Sequence, residues 1–199
     1  MMLKKKIKFI YIFLFLITIS NKSFSIEPNI FVQSTVNRAS QILNDEISKS
    51  EKIEKLKSVA RDTVDIKGIG FYTLGKFRAN LNDSQKEQYS KLFNDYFLKS
   101  FSSRLAEYTN PKIDVQSQEK LNDKYTIVTS ILIATDLRPE VKIQWRIYTK
   151  NPDKPMIRDL IIEGLSLART QKEEFASIIQ SNDGDIEALF ASLKKFIEN

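Results

Sequence analysis

The chain has 199 residues, of which 31 are lysine or arginine and 25 are aspartate or glutamate, and it has neither histidine nor cysteine. This length can fold as one domain with a hydrophobic core, and the absence of cysteine excludes stabilisation by disulfides. Without histidine and cysteine the chain lacks the most common general base, the most common metal ligand and the thiol nucleophile, so we predict that it is not an enzyme.

Residues 1–25 have the layout of a secretory signal peptide. Four lysines between positions 4 and 8 precede an uncharged run at 9–19, and Ser23 and Ser25 supply the small residues that precede a cleavage site. This run is shorter than the about 20 apolar residues that span a bilayer. We expect cleavage after Ser25, export to a bacterial periplasm and a mature domain of residues 26–199, with a retained anchor as the alternative.

The charge of the mature chain differs from that of the whole chain. Removal of residues 1–25 takes away five lysines and no acidic residue, which leaves 26 basic against 25 acidic groups. A nucleic-acid partner requires a lasting positive field or patch. We therefore predict no nucleic-acid partner.

Apolar residues at helical spacing predict three helices in the first part of the mature chain. The first covers 28–48, the second covers 51–62 and the third covers 65–74. The third is weakened by Gly68 and Gly70, because glycine is a poor helix former.

A longer helix is predicted over 84–108, because eight apolar or aromatic residues recur there at steps of three and four. Asn82 or Asp83 can cap its start, residues 84–87 have the spacing of a capping box, and Pro111 marks its end. The eight residues are Tyr89, Leu92, Phe93, Tyr96, Phe97, Phe101, Leu105 and Tyr108. Ordinary core packing of an amphipathic helix would explain the same stripe.

Beyond Pro111 the period changes from three or four residues to two, which predicts strands over 112–118, 125–134, 141–149 and 156–163. The chain then returns to helix, first at 170–173 with capping-box spacing and finally over 186–197. Helices, consecutive short-linked strands and helices again indicate an α+β fold. In it, the N-terminal helices and the long amphipathic helix pack on an antiparallel sheet of about four strands, followed by C-terminal helices.

Other sequence features do not point to chemistry. The glycines at 68 and 70 lack the third glycine of a phosphate-binding loop, and Asp159 and Glu163 have an ordinary explanation as surface or sheet-end charges. The apolar faces of the long helix and the sheet can form a solid core or enclose a cavity for an apolar ligand. Periodicity alone leaves both alternatives open.

Two segments resemble the MlaC family, also called the toluene-tolerance or phospholipid-binding family. One is Leu-Gly-Lys-Phe at 74–77 with the helix that starts Ser-Gln-Lys-Glu-Gln-Tyr at 84–89, and the other is Asp-Leu-Ile-Ile-Glu-Gly-Leu-Ser-Leu at 159–167. The segment Trp-Arg-Ile at 145–147 is also similar, and the likeness extends over roughly 31–197. At 154–158 the chain has Lys-Pro-Met-Ile-Arg, where the family often has a Gly-Trp pair and a tyrosine.

The resemblance implies a periplasmic carrier that shuttles glycerophospholipid between the outer and inner membranes and so maintains outer-membrane lipid asymmetry. It implies a cavity like that of nuclear transport factor 2, with phospholipid as cargo and no other cofactor. The implied partners are an inner-membrane ABC transporter with its periplasmic lipid-binding subunit and an outer-membrane lipoprotein complex.

Pattern and resemblance together predict the lining of the lipid pocket. On the helix side the predicted residues are Leu74, Phe77, Tyr89, Phe93, Tyr96, Phe97 and Phe101. On the sheet side they are Ile127, Ile143, Trp145, Ile147, Leu160 and Ile162. Ordinary core packing is the alternative for each residue. Arg78, Arg104 and Arg146 are candidates for a phosphate contact, with a solvated surface position as the more ordinary explanation.

Two further hypotheses remain at this point. The chain could carry or sense another apolar molecule, such as an isoprenoid. It could also be a periplasmic adaptor with a solid core that only docks partners, which predicts no cavity between the long helix and the sheet.

Overall fold

The helices and strands of the protein are seen in a computed structural model, which describes residues 25–136 and 138–199. The predicted signal peptide therefore lies outside the described residues, except for Ser25. Six α-helices have the bounds α1 Pro28–Asn44, α2 Lys49–Thr63, α3 Ile66–Thr73, α4 Asp83–Leu105, α5 Leu167–Gln180 and α6 Ile186–Glu198. A 3₁₀ helix, Gly75–Asn80, connects α3 to α4.

Five strands form one antiparallel sheet in which each strand pairs with its neighbour in sequence. Their bounds are β1 Ile113–Asn122, β2 Tyr125–Leu132, β3 Val141–Tyr148, β4 Met156–Ile162 and β5 Leu165–Ser166. The predicted α+β fold is confirmed, and the short β5 is added to the four predicted strands. Its hairpin turn at Glu163 and Gly164 has positive φ at both residues, as a two-residue type I′ turn requires.

The strands alternate between an inner face, which packs toward the helices, and an outer face. Val128 and Ser130 of β2 pair with Trp145 and Ile143 of β3 on the inner face. Val128 and Ser130 are fully buried, whereas Ile127, which pairs with Arg146, is half-buried on the outer face. The helices therefore cover only the inner face of the sheet.

Capping residues explain the helix boundaries that sequence reasoning placed elsewhere. The predicted first helix ran to residue 48, but Ser48 instead caps α2 through a capping box with Glu51. Helix α5 was predicted to start at 170–173, yet it starts one turn earlier. Ser166 accepts a hydrogen bond from the Arg169 N–H at 3.1 Å and thereby caps the earlier turn.

The long helix α4 begins where the sequence predicted, capped by Asn82. The Asn82 side chain accepts a hydrogen bond from the Gln85 N–H at 2.9 Å, and the Gln85 side chain accepts one from the Asn82 N–H at 3.2 Å. Over the described part of the chain, no helix combines the length and apolar character needed to cross a membrane.

Candidate functional site

A cavity of about 370 Å³ lies between the helices and the inner face of the sheet. Its walls come from helices α1 to α5 and strands β1 to β4, so nearly the whole domain takes part in enclosing it. The apolar residues that line it include Val36, Leu43, Leu56, Val59, Ile69, Phe93, Phe97, Phe101, Leu105, Ile113, Leu132, Ile143, Trp145, Ile157, Leu160 and Ile162. Water fills an apolar cavity of this kind unfavourably, so the cavity is suited to an apolar molecule.

Helix α4 presents two adjacent stripes of side chains to this cavity. Residues four apart lie on the same side of a helix, so Phe93, Phe97, Phe101 and Leu105 form one stripe, which we call the apolar stripe. The rings of Phe97 and Phe101 stack at 5.4 Å between centroids, and those of Phe93 and Phe97 lie 6.1 Å apart. These aromatic contacts hold the apolar stripe together as a wall.

The second group is more polar and consists of Tyr96, Ser100, Arg104 and Tyr108, which we call the rim stripe. The first three lie on α4, whereas Tyr108, which the sequence predicted as the last helical residue, lies just beyond the end of the helix at Leu105. The Tyr96 hydroxyl donates a hydrogen bond to Gln171 Oε1 of α5 at 2.7 Å. Burial raises the pKa of Tyr96, so the phenol keeps its proton at neutral pH and can donate this bond. The rim stripe therefore connects the apolar interior to the edge of α5.

The floor of the cavity is the inner face of the sheet and includes Trp145. Trp145 Nε1 donates a hydrogen bond to Ser130 Oγ at 2.8 Å, and both residues are buried. This bond satisfies the indole N–H, so the ring can face an apolar space without leaving a polar group unpaired. Ile143, Leu160 and Ile162 complete the floor beside it.

Eight of the predicted site residues line the cavity. They are Phe93, Tyr96, Phe97, Phe101, Ile143, Trp145, Leu160 and Ile162. Whether each touches a ligand stays a prediction, since lining a space and contacting a molecule in it are different properties.

Three of the predicted helix-side residues do not reach the cavity. Tyr89 is fully buried in the core, where its hydroxyl lies 2.8 Å from Thr73 Oγ1 and donates to the Gly70 carbonyl at 3.1 Å. Leu74 is also buried in the core, and Phe77 packs against the core from the 3₁₀ helix. The apolar face of α4 extends beyond the cavity toward the start of the helix, and there its side chains make ordinary core contacts.

Two predicted sheet-side residues also lie elsewhere. Ile127 lies on the outer face of the sheet. The prediction was wrong because both faces of β2 are apolar, so the alternation does not show which face the helices cover. Ile147 does lie on the inner face, paired with Ile157, but it is fully buried in the core beyond the cavity.

Sequence reasoning missed the wall formed by α1 and α2. Val36 and Leu43 are seven residues apart on α1, and Leu56, Val59 and Ala60 share a face of α2; all five line the cavity. Their helical spacing was visible in the sequence. It could not show that the apolar faces of these short helices turn toward a space rather than toward a filled core.

Asp159, the buried carboxylate at the cavity, has a structural role. The buried Asp159 carboxylate accepts hydrogen bonds from Ser166 Oγ at 2.6 Å and from the Ala168 N–H at 3.0 Å, so it holds the start of α5 in place. Among the residues that the structure describes, no group of three or more carboxylates is placed to hold a metal ion.

The size of the cavity sets what it can hold in this conformation. A cavity of about 150 Å³ accommodates benzene, so by proportion about 370 Å³ holds roughly 15 carbon atoms. This is close to the length of one acyl chain.

The chain is similar in sequence and in fold to known proteins. The family model described as MlaC protein matches residues 33–195. A similar curated protein is the intermembrane phospholipid transport system binding protein MlaC of Haemophilus influenzae, which is 21% identical over 168 residues that cover 79% of this chain and 77% of that protein.

A similar solved structure is the phospholipid-binding protein of Ralstonia solanacearum, which was determined in complex with a phospholipid. Its TM-score is 0.72 at 20% identity, and the match covers 87% of this chain and 98% of the other. At this level of identity the likeness shows that the two proteins share a fold.

Proposed function

This chain belongs to the MlaC protein family, and on that premise we propose that it is a periplasmic carrier that holds phospholipid acyl chains in its cavity and moves lipid between the outer and inner membranes. The observation that carries the proposal is the cavity of about 370 Å³ between the apolar stripe and the sheet. Phospholipid binding by the Ralstonia solanacearum protein and intermembrane phospholipid transport by the Haemophilus influenzae protein support it.

The physical need for such a carrier follows from the cost of exposing lipid to water. A lipid with two chains of about 16 carbons has roughly 30 methylenes, and at about 0.8 kcal/mol each their exposure costs on the order of 25 kcal/mol. A cavity lined by phenylalanine, leucine and isoleucine removes this cost for the chain that it encloses. The work of the protein is binding, with no bond made or broken.

The proposed route through the cell follows from the same premise. Residues 1–25 would direct export and be removed after Ser25, leaving 26–199 as the carrier domain. In the periplasm the carrier would exchange lipid with an inner-membrane ABC transporter through its periplasmic lipid-binding subunit, and with an outer-membrane lipoprotein complex. The Haemophilus influenzae relative is named as the binding protein of an intermembrane phospholipid transport system, which supports this route.

The cavity also bears on the alternatives. An adaptor with a solid core required the space between α4 and the sheet to be filled, and the cavity contradicts this requirement. A carrier of another apolar molecule, such as an isoprenoid, would use the same walls, so the chemistry of the bound molecule must decide.

The test is to purify the mature protein from a bacterial periplasm, extract it with organic solvent and identify the bound molecules by mass spectrometry. We expect glycerophospholipid in stoichiometric amount. An isoprenoid in its place would support the alternative carrier. A protein that carries no lipid, and takes up none from phospholipid vesicles, would contradict the proposal.

A further inference from the structure

Arg104 of α4 and Glu174 of α5 line the cavity and are exposed to solvent, and we call the part of the cavity between them its mouth. We propose that this mouth is a headgroup site for a zwitterionic phospholipid, in which Arg104 binds the phosphate and Glu174 binds the ammonium group. This inference rests on the proposed lipid-carrier function and adds a headgroup preference to it.

Arg104 is the cation of this site. Among the described residues that line the cavity it is the only lysine or arginine. Other arginines are engaged: Arg38 pairs with Asp62 at 2.7 Å and Arg158 with Asp65 at 2.6 Å. For the Arg104 guanidinium, the described part of the chain provides no carboxylate within 4.0 Å and no hydrogen-bond acceptor. Five N–H donors at the edge of an acyl-chain cavity are thus available to a phosphate.

The neighbours of Arg104 suit the boundary between an apolar cavity and water. Ser100 lies one turn before it on α4, Tyr108 lies just beyond the end of that helix, and both line the cavity and carry hydroxyl groups. The ring of Tyr108 also lies under the Arg138 guanidinium at 4.7 Å. A tyrosine with an apolar ring and a polar tip is well placed where lipid chains end and the headgroup begins.

Glu174 supplies the opposite charge on the other side of the mouth. It is exposed, lines the cavity and accepts a hydrogen bond from Gln171 Nε2 at 2.8 Å. Gln171 in turn accepts from Tyr96, so this short chain of hydrogen bonds links α4 to the carboxylate. The charges of Glu174 and Arg104 have opposite effects on the pKa of Tyr96, which places both near the same hydroxyl.

A cation and an anion at one mouth discriminate between headgroups. A phosphoethanolamine group carries a phosphate for Arg104 and an ammonium for Glu174. A phosphoglycerol group carries the phosphate alone, so Glu174 gains no partner and repels the negative charge. The site should therefore favour phosphatidylethanolamine over phosphatidylglycerol.

In the experiment, the mature protein is stripped of lipid and mixed with vesicles that contain equal amounts of phosphatidylethanolamine and phosphatidylglycerol. The protein is then re-isolated, and the amount of each bound lipid is measured. We expect the wild type to take up phosphatidylethanolamine several-fold in excess. Arg104→Gln should weaken uptake of both lipids roughly tenfold, the effect of losing one charge-assisted hydrogen-bonded contact. Glu174→Gln should keep total uptake and remove the preference, and Arg104→Lys should keep most of the uptake.

Arg169→Gln and Glu173→Gln are the matched controls, because both residues are exposed on α5 and neither lines the cavity. We expect them to behave as the wild type. Equal uptake of the two lipids by the wild type, or the same behaviour in the site variants as in the controls, would overturn the headgroup site while leaving the carrier function in place. A wild type that takes up neither lipid would overturn both.

Discussion

Gly70 of α3 packs directly against Phe93, a residue of the cavity wall, and leaves no room for a larger side chain. A Cβ atom at position 70 would lie 2.7 Å from Cδ1 and 3.0 Å from Cγ of Phe93, the first ring of the apolar stripe. Both atoms are close to the Cβ of Phe93, and the Phe93 side chain is almost completely buried, so the ring has little freedom to move away. The glycine therefore allows α3 and α4 to approach closely.

Gly70→Ala should destabilise the protein. Replacing a helical glycine by alanine gains about 0.5–1 kcal/mol of helix stability, but overpacking a full core costs typically about 1–3 kcal/mol. We expect the clash to win, with the free energy of unfolding lowered by about 1 kcal/mol or more in urea titrations. The double variant Gly70→Ala with Phe93→Leu should recover part of this loss, and an increase in stability in the single variant would contradict the account.

At the scale of the element, α4 positions lipid-facing residues that a periodic pattern alone does not separate from core residues. Phe97 lies in the middle of the apolar stripe, whereas Ile127 of β2 faces outward. Phe97→Glu would place a carboxylate among apolar groups without a partner, which is unfavourable. We expect this variant to lose phospholipid when the protein is extracted and its lipid quantified.

Ile127→Glu is the control for that change. Its side chain has Arg146 opposite on β3 and Glu119 opposite on β1, so a carboxylate there meets one favourable and one unfavourable neighbour outside the cavity. Lipid content should be unchanged. Circular dichroism establishes that both variants are folded; a folded Phe97→Glu protein with full lipid content would remove Phe97 from the site.

The elements themselves were largely predictable from sequence, because their local signals are strong. The cap at Asn82 marks the start of a helix, the four-residue spacing that follows it indicates the helix α4, and the alternation at 141–148 indicates the strand β3. Boundaries failed where two caps compete within one turn, as at Ser166 and Thr170. The sequence shows that both hydroxyl groups can cap a helix, but it does not show which of them does.

The site was predictable only in part, because facing direction is a tertiary property. Strand β2 is apolar on both sides, so assigning Ile127 rather than Val128 inward was a choice that its alternation could not make. Likewise, nothing in the spacing of Tyr89 and Phe93 shows that the first is in the solid core and the second at a cavity. Where a core stops and a space begins depends on the distances between elements.

At the scale of the whole molecule, the cavity volume limits the cargo. A space of about 370 Å³ holds roughly 15 carbon atoms, whereas two acyl chains present about twice that number. A two-chain lipid therefore requires the wall of α1 and α2 to move away from the sheet, or leaves one chain outside. A one-chain lysophospholipid requires neither.

We expect the distance between α2 and the sheet to increase on loading with a two-chain lipid and to stay constant with lysophospholipid. The chain has no cysteine, so two introduced cysteines are the only sites that a thiol-reactive spin label can modify. The double variant Arg61→Cys on α2 and Lys142→Cys on β3 places one label at each of two exposed positions. Double electron–electron resonance measures the distance between them. A Lys120→Cys and Lys142→Cys pair within the sheet serves as control, and an unchanged α2-to-sheet distance in protein loaded with two enclosed chains would contradict the expansion.

The most direct test of the central claim, that acyl chains lie in the cavity against the sheet, uses the fluorescence of Trp145. It is the single tryptophan of the chain, and it lines the floor of the cavity. Protein loaded with phospholipid that carries bromine atoms on its acyl chains should lose most of its tryptophan fluorescence, whereas the same lipid without bromine should leave it bright. Unchanged fluorescence in protein that mass spectrometry shows to be loaded with the brominated lipid would place the chains elsewhere and contradict the account.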